Sequence, residues 1–112
     1  MNDFDWIDSY PHCVTVCDTN GIIIAMNTAS CEVFKKYGGS SLIGTSLFEC
    51  HPESANAIIR KQLASQTGNT YITESSEHKK LISQVPWYKD QVFGGMVETI
   101  IYLPENIKTK KR

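Results

Sequence analysis

The side chains able to do chemistry in this chain are four cysteines, three histidines and a scatter of carboxylates. Cys50 and His51 are adjacent, so both could approach one metal ion, with His12 or Cys31 as a third ligand. Zinc favours four ligands and paired C-x2-C spacing, and that spacing is absent. The plain reading has His51 and Pro52 opening a helix, with no metal. Cys13 and Cys17 lie four apart, which on a strand means one face but roughly 13 Å of separation. They cannot chelate one ion without a bend and read as small buried residues. Acid–base catalysis needs carboxylates or histidines that converge in an apolar site. Asp18 falls in a turn, Glu49 in a loop and His78 in a polar turn. Glu98 alone lies mid-strand, where its environment could perturb it. One such residue makes no catalytic constellation, so an enzyme is not expected.

The elements that must carry these residues begin with Cys13-Val-Thr-Val-Cys-Asp-Thr-Asn-Gly-Ile-Ile-Ile-Ala-Met-Asn27. Two arms rich in β-branched residues flank Asn20-Gly21, a turn that takes positive φ cheaply. Strands are expected over about 12–17 and 21–26. Neither alternates cleanly, which suggests a sheet covered on both faces. Asn27 offers its side-chain oxygen to the free amides of a following helix, which Gly38-Gly39 stops. Residues 40–44 read as an irregular link and 45–50 as one more short helical turn or a loop. A helix then runs from Pro52-Glu53 to Gly68, with Ala55, Ile58, Ile59, Leu63 and Ala64 at helical spacing. From residue 69 the period changes to strands, over 70–73, 81–88 and 92–103. Gly94-Gly95 marks a bulge or close approach, and Pro104 ends the last strand.

Residues 2–9 place Phe4, Trp6 and Ile7 among aspartates, as one or two helical turns too short to stand alone. The expected architecture is α+β: a five-stranded antiparallel sheet with helices on one face, in the order ββαααβββ. Residues 1–9 form an N-terminal flank, 10–104 the domain and 105–112 a basic tail. The opposite sheet face looks apolar through Val14, Val16 or Ile23. It needs cover from the N-terminal segment or a second subunit.

Composition narrows the class further. The chain has 112 residues, 41% hydrophobic, 21% charged, with net charge −1. That length suits one domain with one core. The charge gives no footprint for nucleic acid. No apolar run approaches the roughly 20 residues that span a bilayer, and the acidic N-terminus is unlike a secretory signal. A cytoplasmic location with reduced thiols is the expectation.

This arrangement resembles a PAS domain over roughly residues 10 to 103. Asp18-x-x-Gly21 followed by Asn27 is similar to the family's opening D-x-x-G-x-I-x-x-x-N. Gly44-Thr45-Ser46-Leu47-Phe48 followed by His51-Pro52 is similar to its G-x-S-x-x…H-P segment before the long helix. Gly94-Gly95 matches the position where the family's last strand often begins. Pro86-Trp87-Tyr88 with Val97-Glu98 and Leu103-Pro104 resembles a group of small, mostly stand-alone bacterial PAS proteins. The resemblance implies a sensory or regulatory module in signal transduction. Such a module binds a small ligand between sheet and helices, or a signalling partner protein. It dimerises through the outer sheet face and the N-terminal flank. No output segment fits within the chain, which is expected to be stand-alone or an excised piece.

The fold leaves the ligand open. Flavin photosensors of the family carry a reactive cysteine in N-C-R-F-L-Q. Here Cys50 is displaced and the arginine and glutamine are missing. Haem-binding members place a histidine within the long helix, and residues 53–66 hold none. By topology, Thr15, Met26, Phe34, Leu47, Phe48, Ile58 and Gln84 are the expected pocket residues. The parity of Gln84 and Glu98 stays open, and Trp87 and Tyr88 could anchor a dimer or cover a core edge. The competing readings are a ligand-free dimerisation module and, further off, a small α+β enzyme.

Overall fold

A computed structural model describes residues 5–112, apart from the side chain of Cys50. The contribution expected of Phe4 lies outside the described residues. Five strands form one antiparallel sheet: β1 Cys13–Asp18, β2 Ile23–Met26, β3 Asn69–Glu74, β4 Lys79–Lys89 and β5 Val92–Leu103. Their order across the sheet is β2-β1-β5-β4-β3, so the two strands from the start meet the three from the end. Among the described residues four helices are interposed or precede: α1 Trp6–Ser9, α2 Thr28–Val33, α3 Leu47–Cys50 and α4 Glu53–Ser65. Short 3-10 turns at Lys35–Tyr37 and Gly39–Leu42 join α2 to α3. Beyond Leu103 the chain forms no helix or strand.

The β1–β2 turn forms because Asp18 holds both sides of it. Its Oδ1 accepts from the amides of Asn20 and Ile22, at 2.9 and 3.0 Å. Gly21 alone takes positive φ there, at 77°. Asn20 does not, contrary to the Asn-Gly reading of the turn. Asn27 ties the hairpin to α2. Its Oδ1 accepts from Ser30 N and from Val14 N, each at 3.0 Å, and its Nδ2 donates to His12 O at 2.8 Å. Ser30, wholly buried, shares a hydroxyl contact of 2.6 Å with Thr15. These bonds set α2 against β1.

Strand alternation sorts the sheet into two faces. Cys13, Thr15, Cys17, Ile82, Gln84, Met96, Glu98 and Ile100 point toward the helices. Cys13, Ile82 and Ile100 form the buried core, with Val33 and Phe34 packed on it. Ile23 pairs with Cys17 and is 4% exposed on this inner face. It therefore cannot belong to the outer face, where the sequence placed it as an alternative. Val14 and Val16 do take the outer parity.

Two glycines act by absence of a side chain. Gly95, at φ +140°, lies with its backbone against the Cys17 carbonyl, where a Cβ has no room. Gly94 clears a bed for the indole of Trp87, whose Nε1–H donates to Cys17 O at 2.9 Å. Trp87 is thus a clamp across β5 onto β1. Tyr88, beyond the bulge, is 54% exposed. Helix α4 stops at Gln66, which adopts the left-handed conformation, rather than at Gly68. Gly68 instead meets the Gln84 carbonyl closely: a Cβ there would stand 2.6 Å from it.

Candidate functional site

Between the inner sheet face and the helices lies a cavity of about 490 Å³. Its wall is largely apolar, with Ile23, Met26, Phe34, Leu47, Ile59 and Met96 as the main contributors. Each arrives there by local rule. Met26 and Ile23 come from one face of β2, Phe34 closes the C-terminus of α2, and Leu47 opens α3 behind its Ser46 cap. On α4 the inward stripe is Asn56, Ile59 and Gln62 with Leu63, at the 3- and 4-residue spacing of one helix face.

A polar row crosses this apolar floor. Met26 pairs with Thr15, Thr15 with Glu98, Glu98 with Gln84, and Gln84 with Asn69. Gln84 Nε2 donates to Glu98 Oε2 at 2.9 Å, and Gln62 Nε2, from α4, donates to Gln84 Oε1 at 3.1 Å. The relay ends on a carboxylate. Tyr71, on β3, borders it: burial first, then the Glu98 charge, push its phenol above the usual range, and a hydrogen bond with Gln84 opposes them. His51 lies at the cavity edge and is exposed, its Nδ1–H donating to Leu47 O at 2.7 Å.

Of the seven residues expected from topology, the structure brings Thr15, Met26, Phe34, Leu47 and Gln84 to the cavity wall. Ile58 and Phe48 are not on it. Ile58 is 56% exposed, because the inward face of α4 runs through Asn56, Ile59 and Gln62, and Ile58 falls off that stripe. Phe48 is drawn aside to lie over Gly21, at 2.7 Å from where a Cβ would be, with the Arg60 guanidinium 5.1 Å from its ring centre. The reading of the residues missed Gln62, Glu98 and His51 as wall residues. The first two carried a signal: opposed polar residues in otherwise apolar strands, and a glutamine three positions after Ile59.

Cys13 and Cys17 offer no reactive centre. Burial pushes the Cys13 and Cys17 thiols up, which keeps them protonated and weakly nucleophilic. Among the described residues no cluster of three His, Cys, Asp or Glu is placed to hold a metal ion. The remaining polar candidates are dispersed. Asp18 is committed to its turn, and His78 packs edge-on against Tyr102. No helix of the described residues is long and apolar enough to cross a membrane.

Comparison with known proteins places this architecture. No curated protein matches the chain. Among solved structures it is similar to the PAS domain of BvgS from Bordetella pertussis, at 16% identity and TM-score 0.68, over 89% of this chain and 82% of that one. The Aer2 receptor of Vibrio cholerae, described as a dual PAS-heme oxygen sensor, is similar at 13% identity and TM-score 0.62, over 83% and 95%. The VqmA dimer of Vibrio cholerae is similar at 16% identity and TM-score 0.67; the match takes in 92% of this chain but only 51% of VqmA. These likenesses show the fold. A sequence model described as the PAS fold matches residues 7–69, more than half of the chain. Together with the five-stranded sheet and its helical cover, that match settles the family: the chain belongs to the PAS fold, a family of signal-sensing modules rather than a class of enzymes.

Proposed function

We propose that this chain is a sensory module that holds a small ligand in the cavity under α4 and reports its occupancy by a shift of that helix. The observation that carries the reading is the cavity itself, about 490 Å³ of mostly apolar space with a polar row across its floor. A filled core would favour a ligand-free interaction module. The domain is taken as residues 10–104. The coupling element is the Gln62–Gln84 hydrogen bond, which links α4 to the sheet. A ligand that engages Gln84 competes with that bond, so it discriminates between two packings of α4, as a population shift requires.

Native mass spectrometry and an absorption spectrum of the gently purified protein test the reading. A co-purifying small molecule, lost when Met26→Trp fills the cavity, is the expected result. A chain that carries nothing, and whose stability no small molecule raises, would refute it.

We further infer a homodimer through the outer sheet face. Two apolar rows cross it: Ile72, Leu81 and Ile101, and Val85, Val97, Val16 and Ala25. Ile72 is 54% and Val85 44% exposed. A second copy of the same face, with the N-terminal flank at its side, is the occupant that suits a self-complementary apolar surface. The related VqmA structure is described as a dimer.

A further inference from the structure

We infer that the ligand of this cavity is a small organic cation, an amine or amidine on an apolar body; this rests on the cavity being the ligand site. The argument starts from the direction of the hydrogen bonds. Gln62 donates to Gln84, and Gln84 donates to Glu98, so each step of the relay points toward the carboxylate. Glu98 accepts one amide N–H on Oε2 and keeps acceptor capacity on both oxygens. The cavity wall holds no lysine or arginine. The ion pairs among the described residues join Glu32 to Lys35, Glu53 to Arg60 and Glu74 to Lys79, and none reaches Glu98.

A negative charge beside apolar walls, with one neutral amide as its partner, is electrostatically incomplete. A ligand that brings a donor-only cation completes it, and an amidinium presents two parallel N–H groups to a carboxylate. An anionic ligand would meet the repulsion of the Glu98 carboxylate. The remaining wall suits the ligand's body. Phe34, Met26 and Met96 offer an aromatic ring and two polarizable thioethers, which pack well on a flat ring.

Three isosteric probes separate this reading from its rivals: 4-fluorobenzamidine, 4-fluorobenzamide and 4-fluorobenzoate, titrated by fluorine NMR, with fluorobenzene as an uncharged reporter of the cavity alone. The expected order is amidine, then amide, then benzoate, with at least a tenfold preference for the amidine over the benzoate. Glu98→Gln keeps the acceptor for Gln84 and removes the charge. It should bring the three affinities within about twofold, with fluorobenzene still bound. Benzoate or benzamide binding as tightly as benzamidine overturns the cation class, as does a preference that survives Glu98→Gln. If fluorobenzene binds and no selectivity appears, the cavity reading stands and this one fails. If none of the four enters, both fail together.

Discussion

Asn27→Ala removes a side chain that is 3% exposed and bonded on every side. Its loss has three separable parts. The N-cap of α2 disappears when Ser30 N loses its acceptor, which costs about 1 kcal/mol. Val14 N, buried, loses its partner at 3.0 Å, and an orphaned buried amide costs about 1–3 kcal/mol. The carbonyls of Tyr10 and His12 lose their donor, a smaller loss because carbonyls nearer the surface can turn to water. The sum is roughly 2–4 kcal/mol, a large part of the roughly 5–15 kcal/mol typical of a domain. At about 4 °C per kcal/mol for a chain of this length, Tm should fall by roughly 8–16 °C. Urea titration followed by circular dichroism measures the free energy, and hydrogen exchange locates it. Val14 should exchange much faster, while Ile100 keeps its protection relative to global unfolding. Asn27→Ser should recover the cap share alone, about 1 kcal/mol. Asn27→Asp should not recover more, since it keeps the acceptor but sets a charge against two carbonyls. A loss below about 1 kcal/mol for Asn27→Ala, with Val14 still protected, would refute the reasoning.

Further outcomes follow from single contacts. Gly95→Ala should cost about 3 kcal/mol or more, since at φ +140° the new methyl also meets the Cys17 carbonyl, while Gly44→Ala, at φ +94° but with open space around it, should cost the backbone strain alone, about 1–2 kcal/mol; equal losses in urea titration would contradict the close approach. Stability should fall at high pH. The folded thiols of Cys13 and Cys17 titrate above the ordinary value of 9.0, so the native state holds protons that the unfolded chain releases. Their contribution is complete below about pH 9 and is lost as pH rises through the raised folded values, and Cys17→Ala should flatten urea midpoints between pH 8 and 10.5. Val85→Lys should convert a dimer to a folded monomer by light scattering, with little loss of Tm because Val85 is half-exposed in the single chain; a dimer that persists would reject the outer-face interface.

The succession of strands and helices, the hairpin and the Asn27 cap were legible in the sequence because each rests on local chemistry: β-branched runs, a turn glycine, a capping side chain. The fate of single side chains was not, because it depends on which partners arrive from far along the chain. Ile58 and Ile59 are equally apolar, and only the bonds of Asn56 to α3 and of Gln62 to the sheet decide which of them faces in. Trp87 read as an interface anchor or edge cover until the space above Gly94 gave it an intramolecular bed and Cys17 O gave it an acceptor 70 residues away.

The parity of Gln84 and Glu98 shows the same limit in its sharpest form. Either face is possible for a strand with apolar residues on both, and the register with Thr15 settles it. Once settled, the sequence becomes informative again. A core selected for stability alone would place apolar residues at the centre of the inner face. Glutamine and glutamate stand there instead, in a row with a threonine, above a space that none of the described side chains fills. Such residues lower the stability of an empty cavity and raise the affinity for an occupant that meets their hydrogen bonds and charge. On the proposed reading, that exchange makes the polar row a feature of binding and ties the chemistry of the occupant to Glu98.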